Sequence, residues 1–132
     1  MSIIEQNLND VPEKTNLEPG EHKVMVKSAD VQPNKDGTRD QIVVTIVPTQ
    51  NADSVWPMKQ YFPLVSPDHE KYDTYRRMLK DFCVAFGVPI NKKGQIDTAD
   101  MVGKAAFVIV KLDTYEGKTK AVIDTYVRPA ML

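Results

Sequence analysis

The stretch SPDHEKYDTYRRMLKDFCVAFGVP, residues 66–89, reads as the one long helix of this chain, and its place between strands decides the fold. Ser66 offers a capping hydroxyl, Pro67 suits the first helical position and Asp68 puts an acid in the first turn, so the helix is expected to begin there. Tyr72, Tyr75, Leu79, Phe82 and Phe86 recur at helical spacing and share one face. Lys71, Arg76, Arg77 and Lys80 sit among Glu70, Asp73 and Asp81 on the other. Gly87 ends the helix and Pro89 prevents its resumption. The aromatics Tyr72, Tyr75, Phe82 and Phe86 are therefore read as packing, with the helix sealing one end of a barrel. Cys83 lies among them and reads as a small buried apolar residue, since no base stands near it in sequence to make it a nucleophile.

Toward the N-terminus, Val55 to Leu64 reads as a strand, and Pro57, which cannot donate to a ladder, marks it as an edge or irregular strand. Before it, Gln41 to Val47 is an apolar strand stopped by Pro48. The dense turn Pro33-Asn34-Lys35-Asp36-Gly37-Thr38-Arg39 joins this to a first strand, His22 to Ser28, in which Val24 and Val26 face one way and Lys23, Met25 and Lys27 the other. Asp36-Gly37-Thr38 begins like a calcium loop but lacks the later ligands and the closing Glu, so it is a turn. Beyond the helix, Asp97 to Met101 is a capped turn. Ala105 to Leu112 is a strand apolar on both faces and hence central in its sheet. A hairpin loop from Asp113 to Lys118 leads to the last strand, Lys120 to Arg128. Alternation turns Ala121, Ile123 and Val127 inward and Lys120, Tyr126 and Arg128 outward.

Three strands, one helix and a closing two-strand hairpin form the layout of the OB-fold, a partly open barrel that binds oligonucleotides or oligosaccharides. The expectation is a mainly β, five-stranded OB-fold barrel over residues 20–132, with one amphipathic helix between strands three and four. An acidic, flexible leader precedes it over residues 1–19. The 132 residues suit one core rather than two. A hydrophobic share of 42% and a charged share of 27% argue against wholesale disorder and against a membrane protein. No apolar run approaches the roughly 20 residues that span a bilayer. The N-terminus lacks the basic start and apolar stretch of a secretory signal, which points to the cytoplasm. A single cysteine excludes an internal disulfide, and with His22 and His69 the only histidines, no metal motif is present. No nucleophile elbow, phosphate-cradling glycine loop or zinc-protease helix occurs, so the chain is read as non-enzymatic and without cofactor.

The outward parities share a character. Lys23 and Lys27 come from the first strand, Lys59 and Tyr61 from the third, Phe107 and Lys111 from the fourth, and Lys120, Tyr126 and Arg128 from the fifth. Lys35 and Arg39 lie in the first hairpin loop, Tyr115 and Lys118 in the last. Aromatic faces stack on unpaired bases while interleaved cations follow the phosphates, which is single-strand binding without sequence readout. Each residue has a plainer reading: lysines on the wet face of a sheet are routine, and Trp56 beside Pro57 is as readily packed as stacked. Tyr61 and Phe62 are adjacent and point to opposite faces, so one of them belongs to the core. The total charge of −1 conceals an asymmetry. Glu5, Asp10, Glu13, Glu18 and Glu21 face Lys14 alone in residues 1–21, a net of −4 that leaves +3 for the rest. Such a leader can compete with DNA for the basic face, recruit partners, or simply be solvated.

Several stretches resemble the small OB-fold single-stranded-DNA-binding proteins of bacteriophages and prophages. They are Glu18-Pro-Gly-Glu-His-Lys-Val, the turn Pro33-Asn-Lys-Asp-Gly-Thr, Tyr75-Arg-Arg-Met-Leu-Lys-Asp-Phe with Ala85-Phe-Gly-Val-Pro, and Met101-Val-Gly-Lys. The resemblance covers residues 18–128. It implies binding and protection of single-stranded DNA in phage replication or recombination, in the cytoplasm of an infected bacterial host, with phage or host replication and recombination proteins as partners. One departure is the C-terminal Val127-Arg-Pro-Ala-Met-Leu, where several such proteins carry an acidic tail. The alternative is an OB-fold module for protein interaction or virion assembly without nucleic acid, which fold alone cannot separate from the first reading. Open strand edges can pair two chains, so a homodimer stays open as well.

Overall fold

Short runs of β-branched residues at period two, split by Gly- and Pro-rich turns, form five strands in the computed structural model, which describes residues 1–130. The strands are β1 (Gly20–Pro33), β2 (Asp40–Pro48), β3 (Met58–Leu64), β4 (Ala105–Tyr115) and β5 (Lys118–Ala130), with the helix α1 (Tyr72–Phe86) between β3 and β4. All pair antiparallel in one sheet of order β3-β2-β1-β4-β5. The five strands and the single helix are as expected, β3 is an edge as Pro57 implied, and β4 is interior as its two apolar faces implied. Barrel closure is not: β3 and β5 approach each other without a ladder, and the sheet stays open along that seam. Met131 and Leu132, the end of the expected barrel domain, lie outside the described residues.

The long β1 is shared. Gly20 to Met25 pair with β4, while Val24 to Pro33 pair with β2. Between Val26 and Ser28 the register shifts, leaving Lys27 unpaired, and Val26 bonds the chain ahead of β4 through Lys104 O and Gly103 N at 2.8 and 2.9 Å. An extra residue bends a strand and increases its twist. That bend lets one strand serve both halves of a curled sheet.

The helix starts later than its cap residues suggested. Ser66 spends its hydroxyl on the Asp68 carboxylate, and Ser66 O and His69 O accept from His69 N and Tyr72 N in successive turns. His69 Nδ1 accepts from Lys71 N at 3.0 Å, so the local bonds of 66–71 make turns and α1 begins at Tyr72. It ends as expected. Gly87 takes φ of 70°, and the Val88 N–H reaches Cys83 O at 2.8 Å. This left-handed cap satisfies the last carbonyls and turns Val88 into the core.

Among the described residues every buried core side chain is apolar. Val24, Val26, Val44, Ile46, Val108 and Val110 line the inside of the sheet, and Phe62, Phe82 and Phe86 fill it. The Phe82 ring lies 5.1 Å from Phe62 and 4.4 Å from Phe86. Only the C-terminal half of the helical stripe is buried: Tyr72 and Tyr75, expected in the core, are half-exposed under the guanidinium groups of Arg76 (4.3 Å) and Arg39 (5.8 Å). They lie in the N-terminal half of α1, three to four turns from Gly87, beside the end of β3 at Pro63 and Leu64. Among the described residues no helix is long and apolar enough to cross a membrane.

Tyr126, expected on the outer face, is turned inward. Two extra residues in β5, Asp124 and Val127, interrupt its ladder with β4, so Val108 pairs with Tyr126 and Val110 with Ile123. Each bulge flips the parity of the residues beyond it. Tyr126 therefore packs edge-on against Phe82 and Phe86 at 6.1 Å, while Val127, expected inside, is exposed. Burial, with Asp81 and Cys83 nearby, pushes the Tyr126 phenol up to about 12, and burial pushes the Cys83 thiol up to about 11. Both raised values mean the folded chain holds these protons more tightly than the unfolded one. Their contribution is complete below about pH 9 and is lost as pH climbs to about 12. Urea titrations across this window should show wild type losing on the order of 2 kcal/mol more stability than Tyr126→Phe. Parallel curves would mean that the phenol is solvated.

Candidate nucleic-acid interface

Residues opposite one another on a ladder share a face, so the register assembles the outer surface. Lys59 pairs with Thr45 and Tyr61 with Val43 on one flank. Lys23, Phe107 and Arg128 form a row across β1, β4 and β5. Lys111 pairs with Val122 and Lys120 with Asp113 farther along the hairpin. Lys23, Lys59, Tyr61, Phe107, Lys111, Lys120 and Arg128 thus share one face as the alternation predicted, and Tyr126 leaves the set.

These cations are not equivalent. Arg128 lies over the Phe107 ring at 4.2 Å and reaches Glu21 at 4.0 Å, and Lys111 reaches Asp124 at 3.5 Å. Lys23, Lys59 and Lys120 make no ion pair among the described residues. Lys27 is the bulged residue of β1 and stands apart. Lys35 is exposed in a loop held by Asn34, whose Oδ1 accepts from Thr38 N at 2.9 Å, and Asp36 accepts from the Thr38 hydroxyl at 2.7 Å. That hydroxyl is the main cause holding the Asp36 carboxyl below its ordinary range. Arg39 is drawn toward Tyr75, its Nε buried without a partner. Tyr115 and Lys118 flank the Glu116-Gly117 turn, where φ values of 51° and 76° make a two-residue turn of a segment expected to be a six-residue loop. Both faces of the hairpin are exposed from Lys111 to Lys120.

The structure gathers one compact group at the open seam. A cleft of about 180 Å³ lies between β3 and β5, walled by Trp56, Lys59 and Tyr61 on one side and Lys120 and Val122 on the other. Trp56 and Tyr61 are 56% and 46% exposed, so their rings offer open faces. Met58, next to them, points into the core and opens β3, which leaves Trp56 just outside the strand it was expected to belong to.

Asn16 closes the cleft, and it belongs to the segment expected to be a flexible leader. Residues 14–18 are docked instead. Thr15 N–H donates to Ser54 O at 3.2 Å, Thr15 O accepts from Trp56 N–H at 2.9 Å, and Asn16 Nδ2 donates to Thr119 O at 3.0 Å. Leu17 is buried in the core, and Lys14 lies over the Trp56 ring at 5.4 Å. The strap thus links the chain ahead of β3 to β5 across the seam. Nothing local in Thr15-Asn16-Leu17 announces this, since the bonding partners Ser54, Trp56 and Thr119 are all remote in the chain. Among the described residues no three His, Cys, Asp or Glu side chains gather as a metal site.

Fold and surface together define a small, mainly β protein with an aromatic and cationic cleft at an open sheet seam. The chain belongs to the family described as protein of unknown function, DUF669, whose model matches residues 4–130. No curated protein matches it.

Proposed function

We propose that the chain is an OB-fold protein that binds single-stranded DNA without sequence preference, acting in phage replication or recombination in the cytoplasm of an infected host. The observation that carries this reading is the cleft, where two half-exposed aromatic rings, Trp56 and Tyr61, stand beside two cations free of carboxylate partners among the described residues, Lys59 and Lys120. Unpaired bases stack on such rings, and a duplex keeps its bases stacked on each other and cannot offer them. Sequence neutrality follows, because every base has a π-face. Phage or host replication and recombination proteins are the partners this role would bring.

Fluorescence anisotropy of labelled oligo-dT and of a matching duplex, at low and moderate salt, tests it. Micromolar or tighter binding that favours the single strand and weakens steeply with salt is expected. Binding that prefers duplex, or no binding at low salt, would remove the reading. The second reading, a module for protein interaction or virion assembly, has one observation in its favour: Ile3, Ile4, Leu8 and Val11 are exposed ahead of the docked strap. An apolar protein interface there would change little with salt.

The acidic part of the leader starts at the cleft, because Lys14 and Thr15 are fixed beside Trp56. Glu13, Asp10 and Glu5 precede them in the chain, so three negative charges are tethered within the chain's reach of its rim. Removing residues 1–13 while keeping the strap should raise affinity for oligo-dT several-fold at low salt, with the gain vanishing near physiological salt, where the screening length is about 8 Å. Equal affinities at low salt would mean that the leader stays clear of the strand.

A further inference from the structure

A second cavity shares Asn16 with the aromatic cleft. It measures about 500 Å³, within the roughly 300–1,000 Å³ of small-ligand sites, and runs between the strap and the turn after β2. Its walls have a different character: Lys23 and His22 from β1, Glu18 from the strap, and Thr49, Gln50 and Asn51 from the turn. We propose that this groove is a second subsite for the same strand, taking the nucleotide that leaves the aromatic cleft across Asn16. The inference rests on the single-strand reading above.

The groove is built before any ligand arrives. Lys23 O accepts from Thr49 N–H at 3.1 Å and from its hydroxyl at 3.4 Å, which pins the turn to β1. Asn51 holds a left-handed backbone at φ of 57°, and Asn51 O accepts from Ser54 N–H at 3.1 Å and Oγ at 2.8 Å. The opposite wall is fixed through the Thr15 bonds to Ser54 and Trp56. Preformed walls spare a ligand the cost of ordering them. Gln50 and Asn51 are exposed and carry amides that both donate and accept, the groups that meet base edges in nucleic-acid recognition. Lys23 adds a cation that makes no ion pair among the described residues. The aromatic cleft holds a base by its face. The groove meets the next one at its edge and neutralises the phosphate between them.

The test varies oligonucleotide length and groove charge together. Anisotropy is measured with oligo-dT from three to fifteen nucleotides, on wild type and on Gln50→Glu/Asn51→Asp, a near-isosteric pair that keeps a residue tolerant of the left-handed backbone at position 51. Short oligonucleotides, which fill the aromatic cleft alone, should bind both proteins alike at moderate salt. Longer ones should bind the variant about tenfold more weakly. Gln50→Lys should act in the opposite direction, steepening the salt dependence by about 0.7, one added phosphate contact, on long oligonucleotides only. Equal affinity of folded variants at every length would overturn the subsite while leaving the aromatic cleft in place. A loss of the same size at all lengths would also overturn it, since that is a field acting on the cleft itself. Wild type that binds no length would remove cleft and groove together.

Discussion

Trp56→Ala and Tyr61→Ala are each expected to weaken oligo-dT binding by roughly 5- to 150-fold, the effect of losing about 1–3 kcal/mol of base stacking. Both rings are about half exposed, so truncation leaves little cavity, and thermal melts of the variants should track wild type. Tyr61→Phe should bind almost normally, because the π-face survives and only the hydroxyl goes. Trp56 is the only tryptophan of the chain, so its fluorescence reports the cleft directly. Saturating oligo-dT should quench it, and Lys59→Gln or Lys120→Gln should shift the midpoint and lower the salt slope without abolishing the quench. Unchanged affinity of Trp56→Ala/Tyr61→Ala, in a protein that binds oligo-dT, would move the strand to the Lys23, Phe107 and Arg128 row.

That row and the cleft differ in how readily cations can engage a strand. Arg128 of that row is already held by Phe107 and Glu21, and Lys111 beyond it by Asp124, which leaves Lys23 as the row's one cation without an ion pair among the described residues. Exposed pairs of this kind are worth about 0–1 kcal/mol and yield to a phosphate at modest cost. Lys59 and Lys120 have no ion pair to release among the described residues. Stacking surface and unengaged charge coincide at the seam, which is why the aromatic residues there carry the larger expected effects.

How far the sequence could be read depends on the range of the interactions involved. Val24 and Val26, the Phe82 and Phe86 stripe and the Gly87 stop depend on neighbours within a turn or a strand, and each stands where periodicity puts it. Tyr126 shows the limit. Parity counting assumes an unbroken ladder, and two bulges that flip it leave no mark in Asp124-Thr125-Tyr126-Val127. Lys120 precedes both bulges and Arg128 lies past both, so each is outside as counted, while the residue between them is not. Ser66-Pro67-Asp68 has the chemistry of a helix cap and uses it on a turn, a competition decided by local bonds that the sequence pattern permits either way. The strap is less legible still. Leu17 is one aliphatic residue among polar ones, and the core that buries it is assembled from strands remote in the chain.

Phe82→Ala is expected to cost about 3–5 kcal/mol, read as a lowered urea midpoint, the usual range for emptying a buried aromatic site. Natural domains have only about 5–15 kcal/mol in total, so this single change removes a large share. The position explains the size. Phe82 is fully buried and touches Phe62 of β3, Phe86 of its own helix and Tyr126 of β5, so one ring spans the two sheet edges that no ladder joins. Met78, on the exposed side of the same helix, supplies the contrast, and Met78→Ala should stay within about 0.5 kcal/mol of wild type. The edges joined by Phe82 also carry Tyr61 and Lys120, so its loss should loosen the cleft and weaken oligo-dT binding under conditions where the variant is still folded. Tyr61→Ala would lose binding alone, whereas Phe82→Ala would lose stability and binding together. If Phe82→Ala lost stability yet bound oligo-dT like wild type, the cleft would be held by the strap rather than the helix, and Asn16→Ala, which removes the bond to Thr119, would then be the substitution that opens it.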